Sequence, residues 1–213
     1  GIELGVGTWA WGDALVWGYG RSYGEADARA AFDASLAAGV RFFDTAESYG
    51  RGQSERLVGR FVRNAGEAVI VATKFMPFPW RLRQDDLLKA LRASLRRLGM
   101  ERVDLYQIHW PFPPVPVETW AGALAEAVEA GLARAVGVSN YNPDQMRRAY
   151  DVLARRGVPL ALRIAARLNR GRRKPVPVGA IDEIAFFVGF VGLAVDFEAH
   201  YFLLVKGRFG LKP

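Results

Sequence analysis

Along the first 160 residues, apolar positions come in two kinds of block. Short continuous runs, LGVGTW, VRFFD, AVIVATKF, VDLYQIH and RAVGVS, are each followed by a polar loop. After each loop comes a longer stretch in which apolar residues recur every three or four positions. The runs predict strands, and their lack of alternation suits a sheet covered on both faces. The stretches ADARAAFDASLAAG, SERLVGRFV, DDLLKALRASLRRLG, VETWAGALAEAVEAG and NPDQMRRAYDVLARRG predict helices. In the third, Leu88, Leu91, Leu95 and Leu98 share one face, two acids occupy the first turn and Gly99 supplies the stop. Acids there suit the positive N-terminal end of the helix dipole. Phe32 and Leu36 mark the buried face of the first helix, which stops at Gly39. The result is five strand–helix units in strict alternation, near the roughly 30-residue size of a βα repeat. VPLALRI begins a sixth strand.

After about residue 161 this pattern stops. RLNRGRRKPVPVG is basic and then Pro-rich, and suits neither helix nor strand. IAFFVGFVGLAV is an apolar run of 12 residues between Glu183 and Asp196. That is short of the ~20 residues a membrane helix needs, so a buried segment or aberrant sequence is expected and no membrane span. HYFLLVKGRFGLKP adds one more apolar run. The domain reading is a barrel portion over 1–160 and an atypical tail over 161–213.

Composition narrows the function classes. With 213 residues and 51% hydrophobic content, the chain can bury a sizeable core. It has no cysteine, which excludes disulfides, thiolate metal sites and cysteine nucleophiles. The net charge is +7, but residues 1–160 carry 20 bases against 18 acids, and 161–213 carry 9 against 4. Six bases fall between Arg163 and Lys174 with no acid. The excess is therefore local, and it argues against a nucleic-acid partner for the barrel portion. GIELGVGTWAWG lacks the basic then apolar order of a signal peptide, and a cytoplasmic location is expected. A first residue of Gly rather than Met reads as a fragment or a processed product.

Candidate chemistry sits at the ends of the runs. Asp44 closes VRFFD, with Tyr49 five residues on; Lys74 falls at the end of AVIVATKF, and His109 closes VDLYQIH. In a parallel α/β barrel all strands point the same way, so residues just past their carboxyl ends meet on one rim. Each has an ordinary reading alone: a turn acid, a turn aromatic, a surface lysine, a core histidine. Together they form a proton-transfer set. A free phenol has a pKa near 10, and a neighbouring ammonium lowers it by stabilising the phenolate. A carboxylate keeps that ammonium charged, and a neutral imidazole can orient a carbonyl oxygen. A positioned acid on a carbonyl oxygen is half of a reduction. The other half is a hydride, which no side chain supplies, so a nicotinamide cofactor is implied.

FFDTAESYGRGQSERLVGRF, ATKF, DLYQIHWP, AVGVSNY and LGVGTWAWG occur in that family's order and resemble the motifs of the aldo-keto reductases. The resemblance covers residues 3–160. It implies a (β/α)8 TIM-type barrel, here incomplete, that reduces a small carbonyl substrate with NADPH. By resemblance, Tyr49 is the proton donor, Lys74 and Asp44 tune it, and His109 orients the substrate. Gly7, Thr8 and Trp9 match first-strand positions near the nicotinamide, Asp44 faces its ribose, and Ser139 and Asn140 match the pair that binds the carboxamide. Trp11, Trp80 and Trp110 line an apolar substrate mouth or pack in the core. GYGRSYG at 18–24 has GxGxxxG spacing and reads as a flexible loop rather than a dinucleotide-binding turn. RGRRK at 170–174 reads as a solvated basic stretch.

The tail departs from the family. LRIAARLN stands where an Asn-Gln motif is expected, and a seventh-strand aromatic and late basic loop are not seen. The switch resembles a frameshifted or wrongly joined reading frame, or a remodelled C-terminal third. Besides a reductase, two classes stay open: a regulatory or catalytically impaired NADPH-binding barrel, and a fragment whose basic tail binds polyanions.

Overall fold

In the computed structural model of the protein, residues 2–164 and 201–205 are described. Six parallel strands form in chain order: β1 (Ile2–Gly7), β2 (Phe42–Asp44), β3 (Ile70–Phe75), β4 (Val103–Ile108), β5 (Ala133–Ser139) and β6 (Leu160–Ile164). Between them run α1 (Glu25–Ala37), α2 (Gln53–Arg63), α3 (Gln84–Leu98), α4 (Val117–Glu129) and α5 (Pro143–Arg155). A short 3-10 turn, Tyr49–Gly52, leads into α2. A last strand, β7 (Tyr201–Val205), lies antiparallel against β1, giving the order β6-β5-β4-β3-β2-β1-β7. All five predicted helices and six predicted strands are present, and the boundaries differ by a few residues. The basic run after Ile164 and the apolar run at 184–195 lie outside the described residues.

The β1 edge away from β2 is taken by β7, with Ile2 opposite Val205 and Val6 opposite Tyr201. The loop at 18–24 is held by local contacts. Tyr19 and Tyr23 form a bridge, Gly20 N–H donates to the Tyr23 carbonyl at 2.7 Å, and the two rings meet edge to face.

Strands β2 to β5 use both faces. Phe43, Val71, Phe75, Tyr106, Ile108, Val136 and Val138 are buried in the main core, with Phe32, Leu57, Leu91, Trp120 and Leu153 from the helices. The opposite face carries smaller side chains: Ala72 and Leu105 are buried there, packed by Phe42, Ala135 and Ala161. Period-two alternation places Asp44, Lys74 and Gln107 on that second face. The register then aligns them, because Asp44 is opposite Ala72 and Lys74 is opposite Gln107.

Two details fix the helices. Asn142 caps α5 by accepting from Gln145 N–H at 2.9 Å, while Gln145 Oε1 accepts from Asn142 N–H at 3.0 Å, and Pro143 starts the helix. Gly59 of α2 lets α3 come close, since a Cβ there would lie 2.1 Å from the Leu98 carbonyl oxygen.

Candidate active site at the strand ends

Asp44, Lys74, Tyr49 and His109 meet at the carboxyl ends of β2, β3 and β4. Lys74 is almost fully buried and its ammonium makes three contacts. It pairs with Asp44 Oδ2, donates to the Thr45 carbonyl at 2.9 Å, and donates to the Tyr49 hydroxyl at 3.4 Å. Its Nζ also lies 5.0 Å from the Tyr49 ring centroid. The His109 ring meets Tyr49 edge to face at 5.5 Å.

Several partners hold this group in place, and sequence reading had not singled them out. Gln107 Nε2 donates to Asp44 Oδ1 at 3.1 Å, so both carboxylate oxygens are engaged. Ser48 Oγ lies 3.4 Å from His109 Nδ1. Glu47 accepts from Met76 N–H at 2.7 Å and from Arg81 Nη2 at 3.0 Å, tying the loop that carries Tyr49 to the loop after β3. Ser54 Oγ donates to the Thr8 carbonyl at 2.8 Å and accepts from the Thr45 hydroxyl at 2.8 Å. The one available signal was that Gln107 is a polar residue two positions before His109 in a mainly apolar strand run.

Burial and charge oppose each other here. Burial pushes the Lys74 amine down, but Asp44 and Tyr49 together lift it above its ordinary value, so it stays charged. Burial raises the Asp44 carboxyl, against the pull of Lys74 and of the hydrogen bonds from Lys74 and Gln107. Tyr49 corrects the sequence expectation. Lys74 does pull the phenol down, but burial outweighs it, and Tyr49 lies above the ordinary value. The phenol is therefore fully protonated at neutral pH. Burial, with Lys74 adding to it, lowers His109 to about 3, so the imidazole is neutral.

The remaining expected residues divide by position. Trp9 is 39% exposed, stacks on Tyr49 at 5.9 Å and donates from Nε1 to Asp13 at 3.1 Å. Gly7 ends β1 opposite Asp44. Thr8 lies beneath the site rather than on it: it is fully buried, and its hydroxyl donates to the Asp44 carbonyl at 3.1 Å. Ser139 ends β5, and Asn140 follows at φ +60°, a left-handed conformation that Asn tolerates better than most residues. Asn140 Nδ2 donates to the His109 carbonyl at 2.9 Å and to Ser139 Oγ at 3.0 Å.

The three tryptophans part company. Trp110 stacks with His109 at 6.4 Å and with Phe112 at 5.6 Å, beside the site. Trp80 is 73% exposed and stacks on Phe78 at 4.8 Å, in the loop after β3. Trp11 is a correction: it is buried in the core against Phe32, Phe43 and Phe61, and cannot line a mouth. Its large apolar surface is better covered between sheet and helices than at the rim. Among the described residues there is no cluster of potential metal ligands and no helix long and apolar enough to cross a membrane.

A buried ion pair lies against a phenol, with a neutral imidazole and the polar pair Ser139 and Asn140 beside it, all at the carboxyl ends of parallel strands. The aldo/keto reductase family profile matches residues 3–164, and the chain belongs to this family. It is 44% identical over 171 residues to the chloroplastic pyridoxal reductase of Arabidopsis thaliana, a match covering 74% of this chain and 46% of the relative. It is 39% identical over 158 residues to the aldo-keto reductase YhdN of Bacillus subtilis, covering 68% and 46%. Among solved structures, an aldo-keto reductase from Klebsiella pneumoniae in complex with NADPH aligns with TM-score 0.58 and 30% identity, over 68% of this chain and 47% of that one. The chain thus spans about half the length of these relatives.

Proposed function

We propose that the protein reduces aldehydes or ketones to alcohols, with NADPH as hydride donor and Tyr49 as proton donor. The observation that carries this is the position of the Lys74 ammonium, held by the Asp44 carboxylate on one side and reaching the Tyr49 hydroxyl on the other. The NADPH-bound relative and the family match support the choice of cofactor.

The residues present fit a nicotinamide carboxamide. Both Asn140 Nδ2 hydrogens are engaged within the protein, which leaves Oδ1 to accept from an amide NH2. Ser139 Oγ accepts from Asn140, which leaves its own O–H to donate to an amide carbonyl. That acceptor–donor pair is the complement of a carboxamide. When bound, NADPH supplies the hydride to the carbonyl carbon. The protein supplies the rest. Tyr49 gives its proton to the carbonyl oxygen, and Lys74 stabilises the phenolate left behind until solvent reprotonates it. Asp44, fixed by Gln107, keeps Lys74 charged. Neutral His109, steadied by Ser48, orients the carbonyl oxygen by hydrogen bonding.

The test is NADPH oxidation with pyridoxal or another aromatic aldehyde by the purified chain and its Tyr49→Phe variant. A general acid contributes roughly 10²–10⁴-fold, and the variant should lose that much. A variant within a few-fold of the parent would remove Tyr49 from the mechanism. The second reading is a barrel that binds NADPH without turnover. It predicts saturable quenching of protein fluorescence by NADPH with no aldehyde-dependent oxidation.

A further inference from the structure

The outer helical layer carries a groove of about 480 Å³ lined by Arg56, Arg60, Arg63, Ala93, Arg96 and Arg97. None of these belongs to the site at the strand ends. Arg56, Arg60 and Arg63 follow one another at four- and three-residue intervals on α2, so they share a face. Arg96 and Arg97 come from the last turn of α3, brought alongside by the close packing at Gly59.

The charges are only partly answered. Arg60 pairs with Glu25 at 2.7 Å and Arg97 with Glu55 at 2.5 Å. Arg63 Nη1 donates to the Leu98 carbonyl at 3.2 Å. Among the described residues no carboxylate lies within ion-pair distance of Arg56, Arg63 or Arg96. Like charges at helical neighbour spacing destabilise a helix, so Arg56 and Arg96 add repulsion that no carboxylate offsets in the free fold. An anion in the groove reverses that.

We propose that the groove is a binding site for a small, free polyphosphate, a compact ligand carrying several phosphate groups. Guanidinium groups present planar pairs of donors that match phosphate oxygens, and several of them around one groove suit several phosphates. The groove is open to solvent, and its size suits a small ligand. Ala93 is the sole apolar residue of the lining, which offers little to an apolar ligand.

Isothermal titration of the full chain with inorganic tripolyphosphate, at low salt and with and without NADPH, tests this. Saturable 1:1 binding is expected in both conditions. Arg56→Gln/Arg96→Gln should weaken it at least tenfold with an unchanged melting temperature. Arg147→Gln/Arg155→Gln, which removes the same charge from exposed positions on α5, should change it less than twofold. Absence of saturable binding overturns the proposal. So does equal affinity in the groove variant, which would place binding elsewhere, such as the basic run after Arg163. Equal weakening by the α5 variant would mean general charge attraction and also overturns it. Binding only to vesicles carrying phosphoinositides, with no response to free tripolyphosphate, rejects a free ligand.

Discussion

Replacing Asp44 by Asn should expose how the ion pair is built into the fold. Lys74 is 2% exposed and Asp44 4%, so neither charge has water to fall back on. The variant keeps the shape and one acceptor oxygen but removes the negative charge, leaving the ammonium with neutral acceptors such as the Thr45 carbonyl and the Tyr49 hydroxyl. Removing one partner of a buried pair costs about 3–5 kcal/mol, because the other charge is left uncompensated. The double variant Asp44→Asn/Lys74→Met removes that charge and should be more stable than Asp44→Asn alone. Equilibrium denaturation of both variants, Lys74→Met and the parent closes the cycle, with a coupling of up to about 3 kcal/mol. The alkaline limb gives an independent sign. In the parent, Lys74 is raised above its ordinary value. Its contribution is fully present below pH ~10.5 and is lost as pH rises through the folded value. In Asp44→Asn, burial acts without the carboxylate and the amine falls below its unfolded value. Stability should then increase with pH as it approaches ~10.5. A loss under about 1 kcal/mol, with the same alkaline slope as the parent, would refute the claim that Asp44 holds a buried ammonium in place.

Gly59→Ala should destabilise the fold by about 1–3 kcal/mol in chemical denaturation, although Ala is the better helix former, because the new Cβ meets the Leu98 backbone. An increase in stability would mean that α2 and α3 can separate freely. His109, lowered from 6.5 to about 3, should show no imidazole titration between pH 5 and 8 when followed by NMR. Its contribution to stability is fully present above pH 6.5 and is lost as pH falls from 6.5 through about 3, since the unfolded state takes up the proton first. A midpoint near 6.5 would show an imidazole open to water.

Much of the architecture was legible in the sequence because its signals are local. Apolar runs and three-to-four-residue spacing are set by backbone period, and α3 and α5 carry a stop and a cap of their own in Gly99 and Asn142. The strict βα alternation then implied parallel strands, and parallel strands put Asp44, Lys74 and His109 on one rim. What sequence could not rank was environment. Trp11 and Trp110 are the same residue type beside similar motifs, yet Trp11 packs into the core and Trp110 stands next to His109. Thr8 likewise fits a site motif, but its hydroxyl faces the Asp44 backbone. Gln107 is distinguishable only once register sets it opposite Lys74 and within 3.1 Å of Asp44. The Tyr49 phenol shows the same division. Sequence alone supplied the ammonium that pulls its pKa down, while the direction of the net shift was decided by desolvation. The arginine groove joins turns of α2 and α3 that lie some 40 residues apart in the chain. Chain order fixes which residues are strand ends and helix faces, because those follow from period. Which of them touch, and which are shut away from water, depends on distances between segments, and only the packed structure determines those.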